Sequence, residues 1–208
     1  MDDRGVPMLN SDKRPGKEEY AWVLDYLPYG DSSDNRPVYQ KKPSVHGLGE
    51  KYFVLVEMVP KEGAVPQIGE RACIGDKGRD VIDHVKRRLE YKSLTHGAQS
   101  ELIYVLEKIV LNDETRFINF INDAYPISTR QHMLELLPGI GKKLMWAILE
   151  ERKAGNFKSF EDLTERVKGV HRPETIFAHQ IENELMNNVR YRLFTTRPPE
   201  PSRKKGRR

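Results

Sequence analysis

The spacing of apolar positions changes once along this chain, near Thr95. Before it, apolar residues alternate with polar ones or gather in short β-branched runs. "YAWVLDYLPYG" reads as a strand ending in a turn at Pro28–Gly30, and "KYFVLVEMVP", residues 51–60, is the strongest strand signal. "VYQKKPSVHGLGE" is a strand broken by Pro43, "RACIG" a short strand and "DVIDHVKRRLEY" an ambiguous one, with "DSSDNRP" and "KEGAVPQIGE" as connections. About five strands separated by turn residues predict a small β-barrel over residues 18–94.

Beyond Thr95 the period becomes helical. Leu102, Ile103, Leu106, Ile109 and Val110 follow Thr95, a suitable N-cap. "DETRFINFINDAY" places Phe117, Phe120 and Ile121 on one face before Pro126 stops it. Ser128 with Gln131 has the form of a capping box opening a third helix into Leu136. "KKLMWAILEERK" predicts a helix stopped by Gly155, and "SFEDLTERVKG" a short helix capped by Ser159. "RPETIFAHQIENELMNNV" predicts a last helix with Pro173 in its first turn. "RYRLFTTR" has strand character, so a strand returning to the β-domain is expected within 190–197. The expected fold is α+β with two domains, a β-barrel over 18–94 and an all-α domain over 95–197. A flexible leader at 1–17 and a disordered basic tail at 198–208 flank them.

One stretch asks for a chemical explanation. In "LPGIGKK", Pro138-Gly139-Ile140-Gly141 separates two helical segments, and Lys142 and Lys143 follow at once. Gly139 can take a positive φ and reverse the chain, and Ile140 can tuck back into the helix pair. Gly141 then opens a helix whose first amides lack partners, so that amides, dipole and two lysines together suit a phosphate. The plainer reading is a tight connection between two helices, with lysines that are merely solvated.

Composition narrows the classes. Hydrophobic residues make up 38% of the chain and charged residues 32%, so it is globular with little apolar surface to spare. No apolar run is long enough to span a membrane. The first residues carry no signal-peptide h-region, and the single cysteine, Cys73, allows neither an internal disulfide nor a cysteine zinc knuckle. A cytoplasmic location is expected. Net charge is +4, but the tail "PPEPSRKKGRR" holds five basic residues and one acid, so residues 1–197 are neutral overall. Such a tail either holds a polyanion weakly or keeps the protein soluble.

The hairpin also carries a resemblance. "LPGIG", Ala147-Ile148, Arg152, Gly155 and "FKSFEDLTERVKGV" resemble the helix-hairpin-helix modules of competence DNA receptors and related repair proteins. Tandem versions repeat the hairpin; here the repeat is "VKGVHRPET", with Gly169 present but His171 in place of the second glycine. That departure makes the completion of a pseudo-symmetric helical core its expected job. The stretch 74–102 together with the hairpin is similar to an archaeal family of uncharacterised proteins, spanning most of residues 18–195. The resemblance implies an OB-like β-domain, then a helix-hairpin-helix (SAM-like) domain, and nucleic-acid binding without an established activity. It also implies a monovalent cation at the hairpin carbonyls as an option, and no other cofactor.

A second basic set lies before the boundary: Lys77, Arg79, Lys86, Arg87, Arg88 and Lys92, opposed by Asp80, Asp83 and Glu90. Strand alternation would place His84, Lys86, Arg88 and Glu90 on one face and Val85, Arg87, Leu89 and Tyr91 on the other. With Tyr26, Tyr29, Tyr39, Tyr52 and Phe53 available, such a strand suits a groove that tracks a backbone and stacks bases. A solvated strand face over an ordinary barrel core fits the same residues. The six histidines (46, 84, 96, 132, 171 and 179) show no zinc-type pairing, and no Walker or GxSxG motif is present.

Together these features predict a non-enzymatic, monomeric nucleic-acid-binding protein, for RNA or DNA, that grips backbone without strong sequence preference. Its expected contacts are Gly139, Ile140, Gly141, Lys142, Lys143, Lys77, Arg79, Lys86, Arg87 and Arg88, with no catalytic residue and no metal. Two rivals stand beside it. Base-excision glycosylases and nucleases share such hairpins, and Asp162 has about the spacing of the glycosylase aspartate, although it lies inside the capping pattern "SFEDL". SAM-like bundles also serve as protein-interaction modules, so protein partners stay open. Because the tail holds the whole net excess, deleting residues 198–208 should weaken binding at low salt and leave any preference among nucleic acids unchanged. Competition between RNA and DNA before and after truncation checks this; a changed preference would count against it.

Overall fold

The computed structural model describes residues 16–30, 36–76 and 78–196. The leader up to residue 15 and the basic tail lie outside them, as does Lys77. Five strands form one antiparallel sheet: β1 (Tyr20–Leu27), β2 (Ser44–Gly49), β3 (Leu55–Pro60), β4 (Arg71–Cys73) and β5 (Ile82–Arg88). Their order is β4-β1-β2-β3-β5, a curled half-barrel where the sequence predicts a small β-barrel. The outer strands β4 and β5 are not paired with each other; β4 has three residues, and β5 exposes mostly charged side chains.

Alternation gives the sheet two buried faces. Ala21, Val23, Val45, Val56, Met58 and Ile82 form one apolar cluster. Trp22, Leu24, Leu48, Phe53 and Leu55 face the other way and share a continuous core with the helices. Helix α1 (His96–Asn112) lies on that side, packed against β1. Thr95 caps α1 by accepting from the Ala98 N–H at 3.1 Å, and its hydroxyl donates to Asp25 of β1. The residue where the sequence changes period is thus pinned to the sheet, with the core running past it.

Four more helices follow: α2 (Glu114–Asp123), α3 (Lys142–Lys153), α4 (Phe160–Arg166) and α5 (Pro173–Leu185). Ser159 caps α4, Pro173 opens α5 and Gly155 follows α3, each as the pattern predicts. The helix expected from Ser128 is not formed. Pro126–Ser128 (β6) and Gln131–His132 (β7) make a small β-hairpin instead, followed by a 3-10 turn over Met133–Leu136. The Ser128 hydroxyl accepts from the Arg130 N–H across the hairpin turn, a local bond that competes with helix formation. The capping box belongs to the next turn: His132 Nδ1 accepts from the Leu134 N–H, and the Glu135 carboxylate accepts from the His132 N–H.

The return strand expected within 190–197 is also absent among the described residues. The N–H groups of Leu193, Phe194 and Thr195 donate to the carboxylate of fully buried Glu184 at 2.8–3.1 Å. A side chain thus satisfies the donors a strand would have paired. The clamp seats Phe194 among Phe117, Phe120 and Phe177, with ring centroids 4.9–5.9 Å apart.

Glu57 does similar work inside the sheet. Fully buried on β3, it accepts from Ser44 Oγ, Lys86 Nζ and Arg87 Nε at 2.5–2.9 Å. Burial raises its pKa, but these charged and neutral donors overcome that and lower it from 4.5 to about 2. The folded value lies below the unfolded one, so this stabilisation is complete above about pH 4.5 and is lost as pH falls towards 2. Glu57→Gln should cost about 2–3 kcal/mol at pH 7. Urea unfolding should show the difference from wild type narrowing by pH 3; a difference that does not change with pH would mean that charge is not what Glu57 contributes.

Candidate nucleic-acid interface

The hairpin has the geometry its sequence implies. Gly139 sits at φ +82°, where a side chain would be strained, and the Ile140 N–H donates to Leu137 O at 3.1 Å. Ile140 is buried and holds the turn against the helical core. Gly141, the N-cap of α3, is different: it is extended (φ −81°, ψ 177°), and a Cβ built there would meet nothing within 4 Å. Neither its conformation nor packing against the described residues requires a glycine at that position. No side chain caps α3, and the first bond of the helix runs from the Met145 N–H to Gly141 O. The amides of Lys142, Lys143 and Leu144 therefore have no partner within the helix. Both lysines are exposed, and the first turn holds no acid.

The second hairpin copies the backbone but not the surface. Val170 N–H donates to Val167 O at 3.2 Å, Gly169 has φ +107°, and Val167 and Val170 are buried as Leu137 and Ile140 are. A Cβ on Gly169 would press on Leu144 of α3, so this turn packs against the first. Arg172 takes the place of Lys142, but it pairs with Glu107 at 3.3 Å and with Glu174 at 3.2 Å. Pro173 removes one amide. Two acids and a missing donor leave little for an anion.

The basic set on the sheet is brought together only in part, and most of it is engaged. Arg79 donates to the carbonyls of Gly75 and Asp83. A β-bulge opposite Glu57 and Met58 breaks the alternation, so Lys86 and Arg87, expected on opposite faces, both reach Glu57. Arg88 is exposed and makes no ion pair among the described residues; it borders a groove of about 550 Å³ between β5 and the segment after α5. Of the aromatics, Phe53 is core at φ +55°, whereas Tyr29 and Tyr39 are exposed. Asp162 accepts from the Lys158 N–H at 2.9 Å and lies 3.4 Å from Arg166, within the cap of α4.

Sequence reasoning missed the surface beside the first hairpin. A groove of about 800 Å³ runs between the β6–β7 hairpin and α3. Lys142, Trp146, Leu149 and Lys153 border it at helical spacing, and Trp146 is 65% exposed. The clue was a tryptophan four residues after Lys142, on the stripe that the two end lysines mark as solvent-facing. The far end of α3 is fixed by Arg152, whose Nη1 donates to the carbonyls of Ile121, Asn122 and Ala124 at 2.8–3.0 Å.

Among the described residues, no group of three or more His, Cys, Asp or Glu is placed to hold a metal ion, and no helix is long and apolar enough to cross a membrane. Comparison with known proteins adds kinship. The family described as "Protein of unknown function (DUF655)" matches residues 17–196. The "Uncharacterized protein MJ0038" of Methanocaldococcus jannaschii is 49% identical over 179 residues, 85% of this chain and 79% of that protein. The crystal structure of Af1531 from Archaeoglobus fulgidus superposes with a TM-score of 0.80 at 47% identity, covering 86% of this chain and 100% of that one.

Proposed function

The chain belongs to the DUF655 family, and we propose that it binds nucleic acid by seating a backbone phosphate on the Gly139–Lys143 hairpin. The observation that carries this reading is Gly141. Its backbone is extended and the space around it is open, so the fold leaves room there for a ligand to approach the amides of α3. Lys142 and Lys143 stand at the helix end where positive charge is least favourable for the helix itself. A bound phosphate would turn that cost into attraction. In this reading the two pseudo-symmetric turns are a tandem helix-hairpin-helix, and the half-barrel is the OB-like domain beside it. The contact is to backbone, so it carries little sequence preference.

No bond cleavage belongs to this proposal. The carboxylate of Asp162 is engaged with the Lys158 amide and Arg166, which favours a capping role over a catalytic one. Damaged duplexes and structured RNA incubated with magnesium or manganese should stay intact. Cleavage that disappears in Asp162→Asn would make the repair-enzyme reading the right one.

The hairpin itself is tested by charge. Lys142→Glu with Lys143→Glu should fold normally, because acids are favoured in the first turn of a helix. For a duplex ligand, log K falls with log salt at a slope of about −0.9 per phosphate neutralised. The double variant should bind more weakly, with a slope shallower by about one to two units. Gly141→Val should weaken binding by steric exclusion, with little loss of stability. A normally folded double variant with unchanged affinity and slope would reduce the hairpin to a turn.

A further inference from the structure

We propose that the groove between α3 and the β6–β7 hairpin takes one unpaired nucleobase of the strand whose phosphate lies at the Gly139–Lys143 hairpin, stacked on Trp146 and hydrogen-bonded by His132 Nε2–H. This rests on the phosphate reading and goes beyond it, since it makes single-stranded nucleic acid the ligand.

The first support is Trp146. On α3 it follows Lys142 by one turn, about 6 Å along the helix axis. It therefore stands one nucleotide-sized step from the phosphate position. Its side chain is 65% exposed, while Met145 beside it is buried in the core. A large ring held on a rigid helix with an open face suits stacking, because every base has a π-face.

His132 supplies a direction that stacking lacks. The residue is only 5% exposed, and it lines the groove. Nδ1 accepts from the Leu134 N–H at 3.1 Å, which places the ring proton on Nε2. Nε2 has no partner among the described residues and is open to solvent, so this donor is available to whatever enters the groove. Burial, and then the charge of Arg152, hold the His132 pKa below its ordinary value, so the ring stays neutral and keeps this tautomer. A carbonyl oxygen or ring nitrogen on a base edge is an acceptor of the required kind.

Charge points the same way. Lys142, Lys153 and Arg130 border the groove, and its one acid, Glu135, is engaged by the His132 N–H. Lys153 also pairs with Glu150, but both are 73% exposed, so that bridge is easily exchanged for a phosphate. An anionic strand with a planar base complements this surface. Arg152 lies at the edge, but its guanidinium is held by the three carbonyls that end α2, so it belongs to the frame.

The full chain can be tested with two single strands of equal length and charge, one of oligo-dT and one of abasic tetrahydrofuran units. Wild type should bind oligo-dT about ten-fold more tightly, within the range of one base stacked on an aromatic side chain. Trp146→Ala should remove that preference while keeping its affinity for the abasic strand, and Trp146→Phe should keep most of it. Because Trp146 is exposed, the thermal melt of both variants should match wild type. Lys142→Glu with Lys143→Glu should weaken both strands alike. If wild type fails to distinguish the strands, or Trp146→Ala retains the preference, the base site is wrong, and the phosphate reading stands or falls on the lysine variant alone.

Discussion

Helix α1 has to bury apolar surface against two partners at once, and the arrangement of everything else follows from that. Ala98, Leu102, Val105, Leu106, Ile109 and Val110 are all sequestered, with β1 on one flank and α5 on the other. A sheet with no apolar face towards the helices would leave α1 half exposed. Here Trp22, Leu24 and Leu48 supply the facing side chains, while Ala21, Val23 and Val45 fill the inside of the curl. Helix α5 then carries the second hairpin at its start and the Glu184 clamp at its end. The first hairpin joins the same core through Leu137 and Ile140. Its open amides are therefore mounted on the shared core, which suits the proposed anion contact.

Acidic side chains decide which cations are left for a ligand. Glu57 engages Lys86 and Arg87, Glu107 and Glu174 hold Arg172, and Glu50 binds Arg71 at 2.5 Å. Each pairing takes a basic residue out of the surface field and gives it a structural role. Lys142 and Lys143 have no such neighbour in their helical turn. A chain that is neutral over residues 1–197 can thus still present a local positive site.

Most of the fold was legible because its signals are local. Thr95, Ser159, Pro173 and Gly155 announce helix ends through their own side chains or backbone freedom, and all four hold their expected places. The misreadings arise where a tertiary partner, a bulge or a competing local bond overrides the local pattern. Glu184 draws in the amides of Leu193 to Thr195, which no periodicity in "RYRLFTTR" can reveal. The bulge in β5 turns Lys86 and Arg87 to one carboxylate, so strict alternation misplaced them. Ser128 bonded its own turn and not a helix. The stripe from Lys142 to Lys153 marks Trp146 as solvent-facing, but only the neighbouring hairpin shows that it borders a groove.

On the proposed reading, the two hairpins show how little separates a scaffold from a site. Both use a glycine at positive φ, both bury the next aliphatic residue, and both close with the same backbone bond. At the second, His171, Arg172 and Pro173 fill or consume what the first leaves open. Two lysines and one helix end neutralise few phosphates, so a grip of that kind alone is weak and strongly dependent on salt. Stacking and a neutral hydrogen bond do not release counterions. A base held in the adjoining groove would therefore supply the part of the affinity that salt leaves intact, and the two contacts would reinforce each other because α3 fixes the distance between them.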